Sequence, residues 1–126
     1  MKKYYFNKEE RLCSIKLIDE LYTQGSSFVL YPFRFVYKET ISQATPVQIV
    51  ISVPKRKFKK AVDRNRIKRQ IREVYRHAKE DLVYPHLGSK SKNIHLLIIF
   101  TGNEIITTAT IRKKLNLGLE RLLTKI

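Results

Sequence analysis

The chain has 126 residues, 43% apolar and 29% charged, values of one globular domain rather than of a disordered or membrane-embedded chain. Lys and Arg outnumber Asp and Glu 26 to 11, a formal net charge of +15 that points to a polyanionic partner, nucleic acid before anionic lipid. The single cysteine, Cys13, excludes an intramolecular disulfide and four-cysteine zinc sites; with no signal-like or membrane-length apolar run, a reducing, cytoplasmic setting is expected.

In chain order, Asn7 can cap a helix in which Glu10 returns the hydrogen bond. Leu12, Ile15, Ile18, Leu21 and Tyr22 then form an apolar stripe that stops before Gly25. Phe28 to Lys38 reads as a strand, with Phe33, Phe35 and Tyr37 on one side, Arg34, Val36 and Lys38 on the other, and an edge or bend at Pro32. A loop from Glu39 to Pro46 leads to a second strand in which Val47, Ile49, Ile51 and Val53 share a face, and a hairpin of these two strands is the simplest connection. Pro54 ends that strand, a basic loop runs from Lys55 to Lys60, and a helix starts near Ala61 or Val62. Tyr84-Pro85 and Gly88-Ser89 mark a loop, and Ile94 to Phe100 is an apolar run of the length of a buried central strand. After Gly102 a Thr-rich stretch offers N-caps for a last helix with the stripe Ile111, Leu115, Leu119, Leu122 and Ile126, weakened by Gly118. The expected fold is a single α+β domain over residues 1–126, in the order α-β-β-α-β-α.

The basic stretch concentrates the charge. Lys55 to Lys79 holds twelve Lys or Arg against Asp63 and Glu73, so these residues carry +10 of the chain's +15. Ile67, Ile71, Val74, Tyr75, Ala78 and Leu82 recur at helical spacing and define a buried face. At about 100° per residue, Arg64, Asn65, Lys68, Arg69, Arg72, Arg76 and Lys79 fall on one arc of roughly 140°, while Arg66 points elsewhere. Cations set side by side repel until an anion arrives, whereas an ordinary solvated helix mixes signs. Arg64, Lys68 and Arg72 form an i, i+4, i+8 row beside the apolar seam and should border a sheet or groove. Arg69 and Arg76 stand farther out, so one helix could touch two anionic surfaces, an arrangement suited to an RNA-backbone clamp. The strand aromatics Phe28, Tyr31, Phe33, Phe35 and Tyr37, with Tyr22, could stack splayed bases, although a domain of this size needs at least half of them in its core.

A nuclease acting alone would need clustered carboxylates or a His pair. The acids here are scattered, and His77, His86 and His95 are far apart, each suiting a surface or strand-end role. No phosphate-binding glycine loop is present. The chain itself is therefore expected to hold no catalytic residue and to bind no cofactor.

The run Lys60-Ala61-Val62-Asp63-Arg64-Asn65-Arg66-Ile67-Lys68-Arg69, continued by Ile71-Arg72-Glu73, resembles the RNR signature of the bacterial ribonuclease P protein subunit. The length, the element order and the Ser52-Val53 strand end before the basic loop fit the same family over nearly the whole chain. The resemblance implies a left-handed β-α-β crossover and a cofactor-like protein serving a catalytic RNA that removes the 5′ leader of precursor tRNA with Mg2+. It implies partners that are the catalytic RNA and precursor tRNA, with neither DNA nor membrane. The implied RNA-binding residues are Lys55, Arg56, Lys57, Lys59, Lys60, Arg64, Asn65, Arg66, Lys68, Arg69, Arg72 and Arg76. The implied leader cleft is lined by Tyr22, Phe28, Phe33, Phe35, Ser52, Arg64, Lys68 and Arg72, and Asp63 or Asn65 could help to place a metal. Phe58 stands where many relatives have glycine, and Ile18 where a cleft aromatic is common. A structural RNA-binding protein of ribosomal type would share the basic helix and sheet without a leader cleft.

Overall fold

The computed structural model describes residues 11–12, 14–40, 46–90 and 92–126. Asn7 and Glu10 lie outside them. The first helix, α1 (Ile15–Gln24), starts later than the apolar stripe suggests, because Ser14 supplies the cap by accepting from the Leu17 N–H. Leu12 lies before the helix: its N–H donates to the Ile49 carbonyl at 2.9 Å, and Arg11 forms a parallel bridge to Ile49.

The expected strand over Phe28–Lys38 is two strands, β1 (Ser26–Leu30) and β2 (Phe33–Thr40), folded at Tyr31-Pro32 into an antiparallel hairpin. The third strand, β3 (Val47–Ser52), does not pair with β2, contrary to the simplest connection. The sheet order is β1-β2-β4-β3, with β4 (Asn93–Phe100) antiparallel to β2 and parallel to β3. The cause is β4 itself: Ile94, Leu96, Ile98 and Phe100 are buried in the main core, while Leu97 and half-buried Ile99 pack on the opposite face. A strand apolar on both faces belongs in the middle of a sheet.

On the main face, α2 (Ala61–Ala78) and α4 (Thr108–Thr124) bury Ile67, Ile71, Val74, Tyr75, Ile111, Leu115, Leu119 and Leu122 against Phe33, Phe35, Val47 and Ile49. Thr107 caps α4 by accepting from the Thr110 N–H. Among the described residues, the other face carries α1 and Leu12, with Leu17, Ile18 and Leu21 packed with Val36, Leu97 and Val50. Where a loop is expected at Tyr84-Pro85, the helix instead widens into a π-helical turn (Lys79–Val83) and continues as α3 (Tyr84–Lys90). Pro85 has no N–H to donate and its ring crowds the preceding turn, a conflict that an i→i+5 turn relieves. Lys79, on the expected cationic arc, is fully buried there, its ammonium 5.7 Å from the Tyr84 ring.

Gly118 is a contact rather than a weak point: a Cβ there would lie 2.3 Å from the Phe35 ring, whereas a Cβ at Gly88 would meet nothing within 4 Å. Gly118→Ala should destabilise by about 1–2 kcal/mol, overpacking outweighing the helix propensity gained. Gly88→Ala should stabilise by up to about 1 kcal/mol. Urea denaturation of the two variants checks the opposite signs.

His95 is buried beneath α1, not at the surface, in a row with Lys38 and Gln48. Burial, then the Lys38 ammonium, push its pKa below the ordinary imidazole value, against the opposing pull of Glu20. Below about pH 6.5 the unfolded chain therefore binds a proton that the folded one refuses, and the stability held above that pH is lost as pH falls through the lowered folded value. The stability difference between wild type and His95→Gln should shift against wild type on acidification from neutral pH. A difference that grows in favour of wild type would reverse the assignment.

Candidate nucleic-acid interface

The cationic helix is wedged between two grooves. On one flank Lys68 and Arg72 line a groove of about 200 Å³ with Arg11, Leu12 and the β3 residues Ile49, Val50 and Ile51. On the other, Arg66 and Arg69 meet Gln70, Glu73 and Thr108 at the start of α4, where the Gln70 amide donates to the Ile106 carbonyl at 3.0 Å. These are the two directions that helical periodicity separates.

Among the described residues, three of the expected RNA-binding cations have partners within the protein. Lys57 donates to the Thr101 carbonyl at 2.6 Å, fastening the basic loop to the end of β4. The Arg64 guanidinium donates to the carbonyls of Phe58 and Lys59 at 2.8 and 3.0 Å, and Phe58 is itself buried against Phe100. Arg76 pairs with Glu73 at 2.6 Å, and that hydrogen bond holds the Glu73 carboxyl below the usual carboxylate range. Lys55, Arg56, Lys59, Lys60, Asn65, Arg66 and Arg69 are exposed.

The aromatic half of the expected cleft is different. Phe33 and Phe35 are fully buried in the main core, and Phe28 stacks on Phe35 at 5.0 Å, so these rings face away from α1 and cannot receive a base there. Tyr22 on α1 is exposed, and Ser52 is half-buried at the end of β3. Register shows what lies beside Ser52 instead: Ser52 pairs with Ile99, Ile99 with Arg34, and Arg34 with Val29, a row crossing all four strands on the face that carries α1. The apolar cluster under α1 centres on the next row, Val36, Leu97 and Val50, with half-buried Ile99 packed at its border, and Arg34 and Val29 remain exposed. Strand alternation in the sequence already set Arg34 opposite Phe33 and Phe35; the missing information was which face α1 covers.

Among the described residues, no three His, Cys, Asp or Glu side chains converge as a metal cluster. Asp63 and Asn65 sit in the first turns of α2, Asp63 half-buried and Asn65 exposed. No helix among the described residues is long and apolar enough to cross a membrane.

Known proteins share this architecture. The ribonuclease P protein of Staphylococcus aureus superposes with a TM-score of 0.67 at 22% identity, over 91% of this chain and 96% of that one. The RNase P protein of Thermotoga maritima gives 0.67 at 24% identity, over 93% and 97%. In sequence, a ribonuclease P protein component from Porphyromonas gingivalis is 41% identical over 71 residues, 56% of this chain and 52% of the relative. One from Chlorobium phaeobacteroides is 35% identical over 79 residues, 60% and 54%. The aligned part thus spans about half the length of the curated relatives. Residues 6–123 match the family model described as Ribonuclease P, and the chain belongs to that family.

Proposed function

We propose that this chain is the protein component of a ribonucleoprotein that removes the 5′ leader of precursor tRNA, and that it holds RNA on both flanks of α2. The observation that carries the reading is the division of the helix: Lys68 and Arg72 border the sheet-side groove, while Arg66 and Arg69 border α4. A single strand entering the first groove meets cations for its phosphates, then the row Ser52, Ile99, Arg34 and Val29, half-buried at its β3 end and open at its β1 end. Phosphate contacts of this kind fix register and orientation without reading sequence. The outer flank, with the exposed basic loop, is left to hold the catalytic RNA. Magnesium, bound with that RNA, would supply the activation of the attacking water; the protein's part is to position the leader and neutralise its charge.

The isolated protein with precursor tRNA and magnesium should release no leader, and adding the catalytic RNA should restore specific 5′ cleavage. Pull-down from cells should recover one dominant RNA of that class; ribosomal RNA in its place would overturn the reading in favour of a ribosomal-type protein.

Lys68→Ala or Arg72→Ala should weaken binding of leader-bearing tRNA by roughly 1–3 kcal/mol while sparing assembly with the catalytic RNA. Arg66→Ala or Arg69→Ala should do the reverse. Equal effects of Lys68→Ala and Arg69→Ala on both affinities would reduce the helix to a diffuse basic patch. With about six to eight phosphate contacts, log K against log salt should fall with a slope on the order of −4 to −7, and a flat response between low and physiological salt would reject the clamp.

A further inference from the structure

The row from Ser52 to Val29 opens towards β1 and does not end at a wall. Its last strand, β1, is the sheet edge, and Val29, which closes the row, is 60% exposed. Three inter-strand gaps make the row about 14 Å long from Ser52 to Val29. Beyond that edge the chain presents a second set of features that the proposed function does not use.

Immediately across the edge, Phe28 carries two exposed cations over its ring, Arg121 of α4 with its guanidinium carbon at 6.0 Å from the centroid and Lys125, the C-cap of α4, with its ammonium at 5.6 Å. At the hairpin turn next to it, Tyr31 is 64% exposed and lines a groove of about 300 Å³ with Pro32, Asn103, Thr110 and Lys114. At about 100° per residue, Lys113, Lys114, Leu117 and Arg121 fall within a sector of about 100° of α4, with Glu120 about 20° beyond its Lys113 edge. Among the described residues no salt bridge engages these cations. An exposed ring beside unpaired cations is the chemistry that holds single-stranded nucleic acid, by stacking a base and neutralising its phosphates. A membrane surface would call for a broad apolar face, and here Leu117 stands alone among the cations.

We propose that the far, 5′ part of the precursor-tRNA leader leaves the sheet over the β1 edge and is held by Tyr31 and the α4 cations Lys114 and Arg121. This rests on the reading of the α1 face as the leader cleft and extends it from one face of the sheet to the other. Glu104, which also lines the Tyr31 groove, opposes the strand's charge and limits the affinity.

The test measures binding of precursor tRNAs to the assembled enzyme as leader length rises from about 2 to about 16 nucleotides, the upper end of single-strand site sizes. Wild type should gain affinity in two steps, the second of about tenfold once the leader is long enough to pass the edge. Tyr31→Ala and Lys114→Gln should remove the second step and leave the first, Lys68→Ala should reduce the first, and Glu104→Gln should enlarge the second. Crosslinking from a photoreactive base in the distal leader should reach Tyr31. A single step that Tyr31→Ala and Lys114→Gln leave unchanged would overturn the edge path while sparing the cleft. No dependence on leader length at all would overturn the cleft reading itself. Binding of anionic vesicles that is lost in Lys114→Gln, without any second step, would assign the surface to lipid and end the proposal.

Discussion

The two-sided burial of β4 governs the layout of the molecule. Because Ile94, Leu96, Ile98 and Phe100 face one layer and Leu97 and Ile99 the other, β4 is driven to the inside of the sheet and β3 is left at an edge. That edge lies beside α2, so the cationic row next to the helix's apolar seam comes to border a strand rather than another helix. The unequal covering of the two faces follows from the same division. Among the described residues, two long helices fill the main side and one short helix lies on the other, where Arg34 and Val29 stay exposed.

Much of this was legible from local pattern. The period of Ile67, Ile71, Val74 and Tyr75 marks the helix and its buried face, and once that face is known the directions of Lys68 and Arg66 follow from geometry alone. The stripe of α4 and the central position of β4 are equally plain, since each depends on residues close in sequence. Pairing is different, because nothing in β2 or β3 says that a strand over forty residues later will insert between them.

The misassigned residues have one physical source. Alternation separates Phe33 and Phe35 from Arg34, yet both faces of β2 carry apolar groups, and the pattern cannot say which face receives two helices and which receives one. Aromatic rings were therefore expected in the cleft when the larger core had claimed them. Gly118 is a similar case. In isolation it reads as a helix defect, and only the Phe35 ring pressed against it shows that the missing side chain is what lets α4 approach the sheet.

The bonds from Lys57 to Thr101 and from Arg64 to the carbonyls of Phe58 and Lys59 give the basic loop its shape from within. Two charges that look available to an anion are spent in advance on ordering the backbone that carries the others. A flexible polycation must surrender conformational entropy as it wraps a phosphate chain, and that loss is subtracted from its affinity. Here part of the loss has already been met during folding, so Lys55, Arg56, Lys59 and Lys60 are presented from a loop already fastened at Lys57 and at the Phe58 and Lys59 carbonyls. The protein trades raw charge for rigidity, and its grip on the RNA we propose as its partner should depend on where the remaining cations stand more than on how many there are.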